Sequence, residues 1–131
     1  EARLRAAFLA SPWADRRPYQ VEADVETPVA GYVLRSRIDA VFPAAAGDPV
    51  TGPDAVVVVD WKTGSAPRDA ATRAAREIQL AVYRLAWSRS AGVPLDRVAA
   101  AFHYVATGET VWPERLLGED EIAALLTDVA R

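Results

Sequence analysis

The chemistry of this chain centres on Asp60-Trp61-Lys62-Thr63-Gly64, which closes an apolar run. Side chains two apart on a strand share a face. Asp60 and Lys62 therefore point one way and Trp61 the other. A carboxylate at such a strand end suits a hard divalent cation, which takes oxygen ligands. An ammonium beside it can hold a water or stabilise negative charge developing on a phosphate. The alternative is a strand-end salt bridge. Lys62 is the only lysine, set against 14 arginines, and asparagine is absent, a skew that a GC-rich coding genome produces. A surface cation could have become arginine without loss, whereas a site that needs a compact ammonium could not.

Asp39 is the second carboxylate. If 32–42 and 55–62 are neighbouring strands, it lies beside Asp60, and two adjacent carboxylates repel unless a cation sits between them. Arg35 and Arg37 precede it on the same face of a regular strand, and either could neutralise it instead. Gln79 and Tyr83 stand at i and i+4 of a helical segment and project together. Arg76 lies one turn earlier, with Arg73 and Arg68 nearer the helix start. Cations there oppose the helix dipole, which an anion such as a phosphodiester would relieve; solvated arginines around a half-buried Tyr83 are the plain alternative. Glu22 reads as a solvated strand glutamate and His103 as a core or edge histidine.

These residues need strands and a helix to carry them. Residues 2–10 read as a helix end, with Leu4 and Phe8 at i and i+4 and Pro12 stopping the run. Residues 19–27 alternate Val21, Ala23 and Val25 against Glu22, Asp24 and Glu26, a strand with one wet face. Pro28–Gly31 read as a turn and 32–42 as the return strand. Alternation sets Leu34, Ser36, Ile38, Ala40 and Phe42 on one face, and Arg35, Arg37, Asp39 and Val41 on the other. Residues 43–54 are a loop, and 55–61 a central strand covered on both faces. Residues 69–91 form a long helix with Ala75, Ile78, Val82, Leu85 and Ala86 in one stripe, ended by Gly92 and Pro94. A strand at 97–106, a turn, a short return at 110–113, and a helix at 119–130 with Ile122, Leu125 and Leu126 inward complete an α/β chain with a mixed sheet flanked by helices.

At 131 residues the length suits one domain. No cysteine is present, so thiolate zinc sites, cysteine nucleophiles and iron–sulfur clusters are excluded within these residues, and the single histidine excludes a two-histidine metal site. No apolar run reaches the ~20 residues of a membrane helix, so the expectation is a cytoplasmic protein with no membrane partner. The net charge of −3 makes no global case for nucleic acid, and any such case rests on a local patch. The first residue is Glu1, and the expectation is a piece of a longer chain.

Taken together, VLRSRIDAVF, VVVVDWKTG and EIQLAVYRLAW resemble the RecB-type nuclease domain of the PD-(D/E)XK superfamily, the C-terminal part of bacterial helicase–nucleases that process double-strand breaks. That family runs G-[RFx]-[IL]-D, then a strand ending D-[YWx]-K-[TS]-G, then Q-x-x-x-Y on a helix. All three occur here in order, over roughly residues 20–106. The resemblance implies a restriction-endonuclease-like fold, with Asp39, Asp60 and the Trp61 backbone carbonyl as ligands of Mg²⁺ or Mn²⁺. Lys62 would be the catalytic lysine, and Gln79 and Tyr83 would line the site. It implies an exonuclease-type deoxyribonuclease in repair and recombination, working on DNA, single-stranded by expectation, fed by ATP-dependent helicase motor domains. Arg35, Arg37 and Arg76 are the candidate DNA contacts. Ser36 stands where the family has glycine, and by alternation it faces away from the site. An upstream histidine that relatives add to the metal site is not in this chain, nor are the cysteines of their iron–sulfur cluster. An acidic residue ahead of the first aspartate can join such sites, which makes Glu22 a further candidate. A different function is a catalytically silent docking module inside a helicase complex, and intact Asp39, Asp60 and Lys62 argue against it.

Overall fold

The computed structural model describes residues 2–129. Helix α1 (Ala2–Leu9) leads through a loop to β1 (Gln20–Val29) and β2 (Tyr32–Pro43); β3 (Val56–Lys62), α2 (Ala70–Ala91), β4 (Val98–Tyr104), β5 (Glu109–Val111) and α3 (Glu119–Val129) follow. The strands make one sheet in the order β1-β2-β3-β4-β5. β3 and β4 are parallel, joined through α2, and the other pairs are antiparallel. This is the restriction-endonuclease-like mixed sheet expected. Residue 130, assigned to the last helix from sequence, lies outside the described residues.

β3 is covered on both faces, as its unbroken valines require. Val56 and Val58 pack with Val98, Ala100, Phe102 and Leu80 under α2. Val57 and Val59 pack with Phe42, Ala99 and Trp13 on the reverse side. Asp69 caps α2 by accepting from the Thr72 N–H at 2.7 Å, and Gly92 ends it in the left-handed conformation at φ 70°. The far end of α2 joins α3 through Ala81, Leu85 and Ile122, with Val29 of β1.

Several expectations need correction. α2 buries Leu80, Ala81, Leu85 and Ala86, while Ala75 and Ile78 are exposed, because its first turns meet the sheet through Arg76 and Glu77 instead. Leu125 is also exposed, since α3 touches the body only along one narrow stripe around Ile122. Val21 is exposed, because none of the described residues covers the reverse face of the sheet there. β1 runs through Pro28 to Val29: on an edge strand the missing proline N–H would have faced solvent. The turn is therefore only Ala30-Gly31, with φ 52° and 84°. Two positive φ values match the twist of a two-residue hairpin, but alanine pays a steric cost there of roughly 1–2 kcal/mol. Glycine gives part of that gain back in chain entropy. Ala30→Gly is expected to raise the unfolding free energy by about 0.5–1 kcal/mol, read from the urea midpoint at unchanged slope.

The alternation of β2 also breaks. Ile38 and Val41 lie in the core under α2, whereas Ala40 and Phe42 lie in the core behind the sheet. Inward residues three apart mean that the pleat is interrupted at Asp39. Ser36 is consequently buried on the helix side with Val25 as its cross-strand partner, rather than facing away.

Candidate active site

β3 ends the core as it leaves it. Asp60 is 7% exposed, and Lys62 is only partly covered. Both point to the α2 side, and Lys62 Nζ lies 3.0 Å from Asp60 Oδ2. Trp61 points to the reverse side, where its ring meets Phe8, Trp13, Phe42 and His103 edge-on at centroid distances of 5.3–6.3 Å. This aromatic bed fixes the strand end from behind. His103 is fully buried in it, burial pushes its pKa down, and its Nδ1 lies 2.8 Å from the Thr110 hydroxyl. It is a core histidine.

Beside this end, β2 and β3 part. Their ladder runs from Pro43–Val56 to Ala40–Val59 and stops. Continued, it would set Trp61 against Ile38. Instead the Trp61 N–H donates to Asp39 Oδ2 at 2.9 Å. The Lys62 carbonyl accepts from the Val105 N–H on the β4 side. Since successive residues of a strand direct their peptide groups to opposite sides, the Trp61 carbonyl faces the same notch as Asp39. Asp39, Asp60 and a strand carbonyl thus stand together where β2 leaves β3.

The electrostatics of the site are dominated by the burial of Asp60. Burial first, and then the neutral form's hydrogen bond with Asp39, push Asp60 from 3.8 to about 6, against the opposing pull of Lys62. Tyr83 is half-buried above them, and its hydroxyl is pushed upward by burial and then by the charges of Asp60 and Asp39. Gln79 lies one turn nearer the helix start and is exposed. Two oxygens of carboxylates and one carbonyl suit Mg²⁺ or Mn²⁺, which keep waters and substrate phosphate in their remaining positions. Among the described residues no three His, Cys, Asp or Glu side chains gather, so a cation here would depend on such further oxygens.

The arginines separate. Arg35 pairs with Glu26 at 3.1 Å and Arg37 with Asp24 at 3.3 Å, all four exposed, on the face of the hairpin turned away from α2. Neither neutralises Asp39. The break in the pleat is the reason: residues 35 and 37 follow the phase of Ile38, not that of Val41. Arg76 stays near the site. Its Nη1 donates to the Tyr104 hydroxyl at 3.3 Å. With Arg73 it lines a cavity of about 240 Å³ whose base is Phe102 and Tyr104. Tyr104 is the register partner of Lys62, so this cavity opens one strand away from the lysine. The sequence reading missed Tyr104 and the bed of Phe8 and Trp13; only the apolar character of both segments hinted at them.

A family profile described as the PD-(D/E)XK nuclease superfamily matches residues 1–131. A search of curated proteins finds no match.

Proposed function

From the premise that this chain belongs to the PD-(D/E)XK nuclease superfamily, we propose that it hydrolyses DNA phosphodiester bonds with Asp39, Asp60 and the Trp61 carbonyl as ligands of a divalent cation. The observation that carries this reading is the parting of β2 from β3, where two carboxylates of neighbouring strands stand together with a lysine 3.0 Å from one of them. A bound cation would supply Lewis-acid activation of water and neutralise phosphate charge. The chain's own residues do the rest. Asp39 is held by the Trp61 N–H, so one of its oxygens is fixed in place. Lys62 Nζ, 3.0 Å from Asp60 Oδ2, would face the phosphate, whose charge grows toward the transition state. Tyr83 and Gln79 form the wall opposite the sheet and orient the strand.

The finer reading rests on the three motifs: a single RecB-type domain of a larger helicase–nuclease, Mg²⁺ as the ion, exonucleolytic action on single strands, and a role in repair and recombination. The test is cleavage of end-labelled single- and double-stranded oligonucleotides in Mn²⁺ or Mg²⁺. Cleavage lost with chelator and in Asp39→Ala supports the proposal. A chain that binds Mn²⁺ and DNA but cuts neither substrate in either ion is a docking module.

Arg73 and Arg76 are the DNA contacts this reading favours, because they line the cavity beside Lys62, whereas Arg35 and Arg37 are engaged on the other face. Arg76→Gln is expected to weaken single-strand binding and to lower the slope of log K against log salt by about 0.7. Arg35→Gln leaves that slope unchanged. Both are read by fluorescence anisotropy across a salt series.

A further inference from the structure

β1 and β2 keep one register from end to end, yet both change faces at the same place. Gln20–Val41 and Val21–Ala40 pair on one side of it, and Ala23–Ile38 and Asp24–Arg37 on the other. Between them Glu22 stands across from Asp39, and this is the one position where the pairing lapses within the ladder. Glu22 has φ 47°, in the left-handed region. Ala23 and its partner Ile38 belong to the core under α2. Ala40, the partner of Val21, belongs to the core behind the sheet. A single left-handed residue on the edge strand therefore coincides with the phase change of both strands, and with the point where β2 leaves β3.

We propose that the left-handed backbone of Glu22 is the positioning element of the site. It lets β2 peel from β3 after Ala40, so that the Asp39 carboxylate, rather than the Ile38 carbonyl, takes the Trp61 N–H. The Glu22 carboxylate is not itself a ligand. Its side chain is exposed, and a third carboxylate joining Asp39 and Asp60 would make a cluster that the described residues do not contain. Strained backbone of this kind persists where surrounding structure over-determines it, and it concentrates at functional sites. The consequence for cation binding rests on the function proposed above; the backbone geometry does not.

Four variants separate backbone from carboxylate. Glycine adopts the left-handed region freely, glutamine keeps the backbone preference without the charge, and the β-branched valine and threonine are the residues least suited to it. Two quantities are read: exchange of the Trp61 amide in chelator, by NMR, and Mn²⁺ affinity by calorimetry. Glu22→Gly and Glu22→Gln are expected to hold both within about twofold. Glu22→Val is expected to speed Trp61 exchange and weaken Mn²⁺ binding by about 5- to 10-fold, while the Val58 amide, deep in β3, keeps its protection. Glu22→Thr repeats the measurement if Glu22→Val does not fold. Loss of Mn²⁺ affinity in Glu22→Gln equal to that in Glu22→Val would make the carboxylate a ligand and overturn the proposal. Unchanged Trp61 exchange in both β-branched variants would overturn it too. Trp61 exchange that responds as expected in a chain with no Mn²⁺ affinity sustains the positioning role and defeats the nuclease reading instead.

Discussion

Asp60→Asn is expected to stabilise the fold in metal-free buffer at pH 7 and to abolish cleavage. Burial and the neighbouring Asp39 raise Asp60 from 3.8 to about 6. A folded-state pKa above the unfolded one means that the fold favours the protonated form. The contribution to stability is full below pH 3.8 and is lost as pH rises through about 6. A shift of this size corresponds to roughly 3 kcal/mol. Asparagine has the same shape and stays neutral at every pH. Its advantage is therefore expected to be near zero at pH 3.5 and to grow to roughly 2–3 kcal/mol at pH 7, read from urea midpoints in chelator. A difference that does not change with pH would mean that Asp60 ionises in the fold without cost. Mn²⁺ should then reverse the order. At about 1,000 times Kd the native chain gains about 4.1 kcal/mol, whereas Asp60→Asn gains little.

Asp60, Lys62 and Trp61 could be placed from the sequence because β3 is a regular strand, and period two fixes which side chains share a face. Gln79 and Tyr83 could be placed because a capped helix fixes its own phase. Asp39 was found as a neighbour of Asp60, but its surroundings were not. The same alternation that set Arg35 and Arg37 beside it assumed an unbroken pleat, and the pleat breaks there. Nothing local in Val21-Glu22-Ala23 announces a left-handed residue, since glutamate has no preference for that region. The break follows from two demands met together: Val41 must face α2 with Val58, and Ile38 must face it too. Likewise, the first turns of α2 meet the sheet through Arg76 and Glu77 rather than through Ala75 and Ile78, because the cavity there takes long polar side chains. Trp13 joins the bed behind Trp61 from a loop, through contacts between segments far apart in the chain.

Lys62→Met is expected to separate chemistry from cation binding in a way that no aspartate variant can. In the absence of metal the ammonium sits 3.0 Å from Asp60 Oδ2. It partly neutralises a buried carboxylate, and it occupies an oxygen that a cation would need. Removing it leaves Asp60 freer for Mn²⁺, so the affinity of Lys62→Met is expected to match or exceed that of the native chain. Cleavage should fall all the same. A preorganised donor aimed at developing negative charge is worth about 10²- to 10³-fold in kcat, and methionine fills the space of the lysine stem without the charge. Arginine should not restore the rate. Its planar guanidinium is larger than an ammonium, and its fork would hold the Asp60 carboxylate bidentately. The outcome is read by calorimetry with Mn²⁺ and by single-turnover cleavage on the same preparations. Lost Mn²⁺ affinity in Lys62→Met would show that the lysine supports Asp60 structurally. Retained affinity with unchanged kcat would remove Lys62 from the reaction and leave it the partner of a strand-end salt bridge.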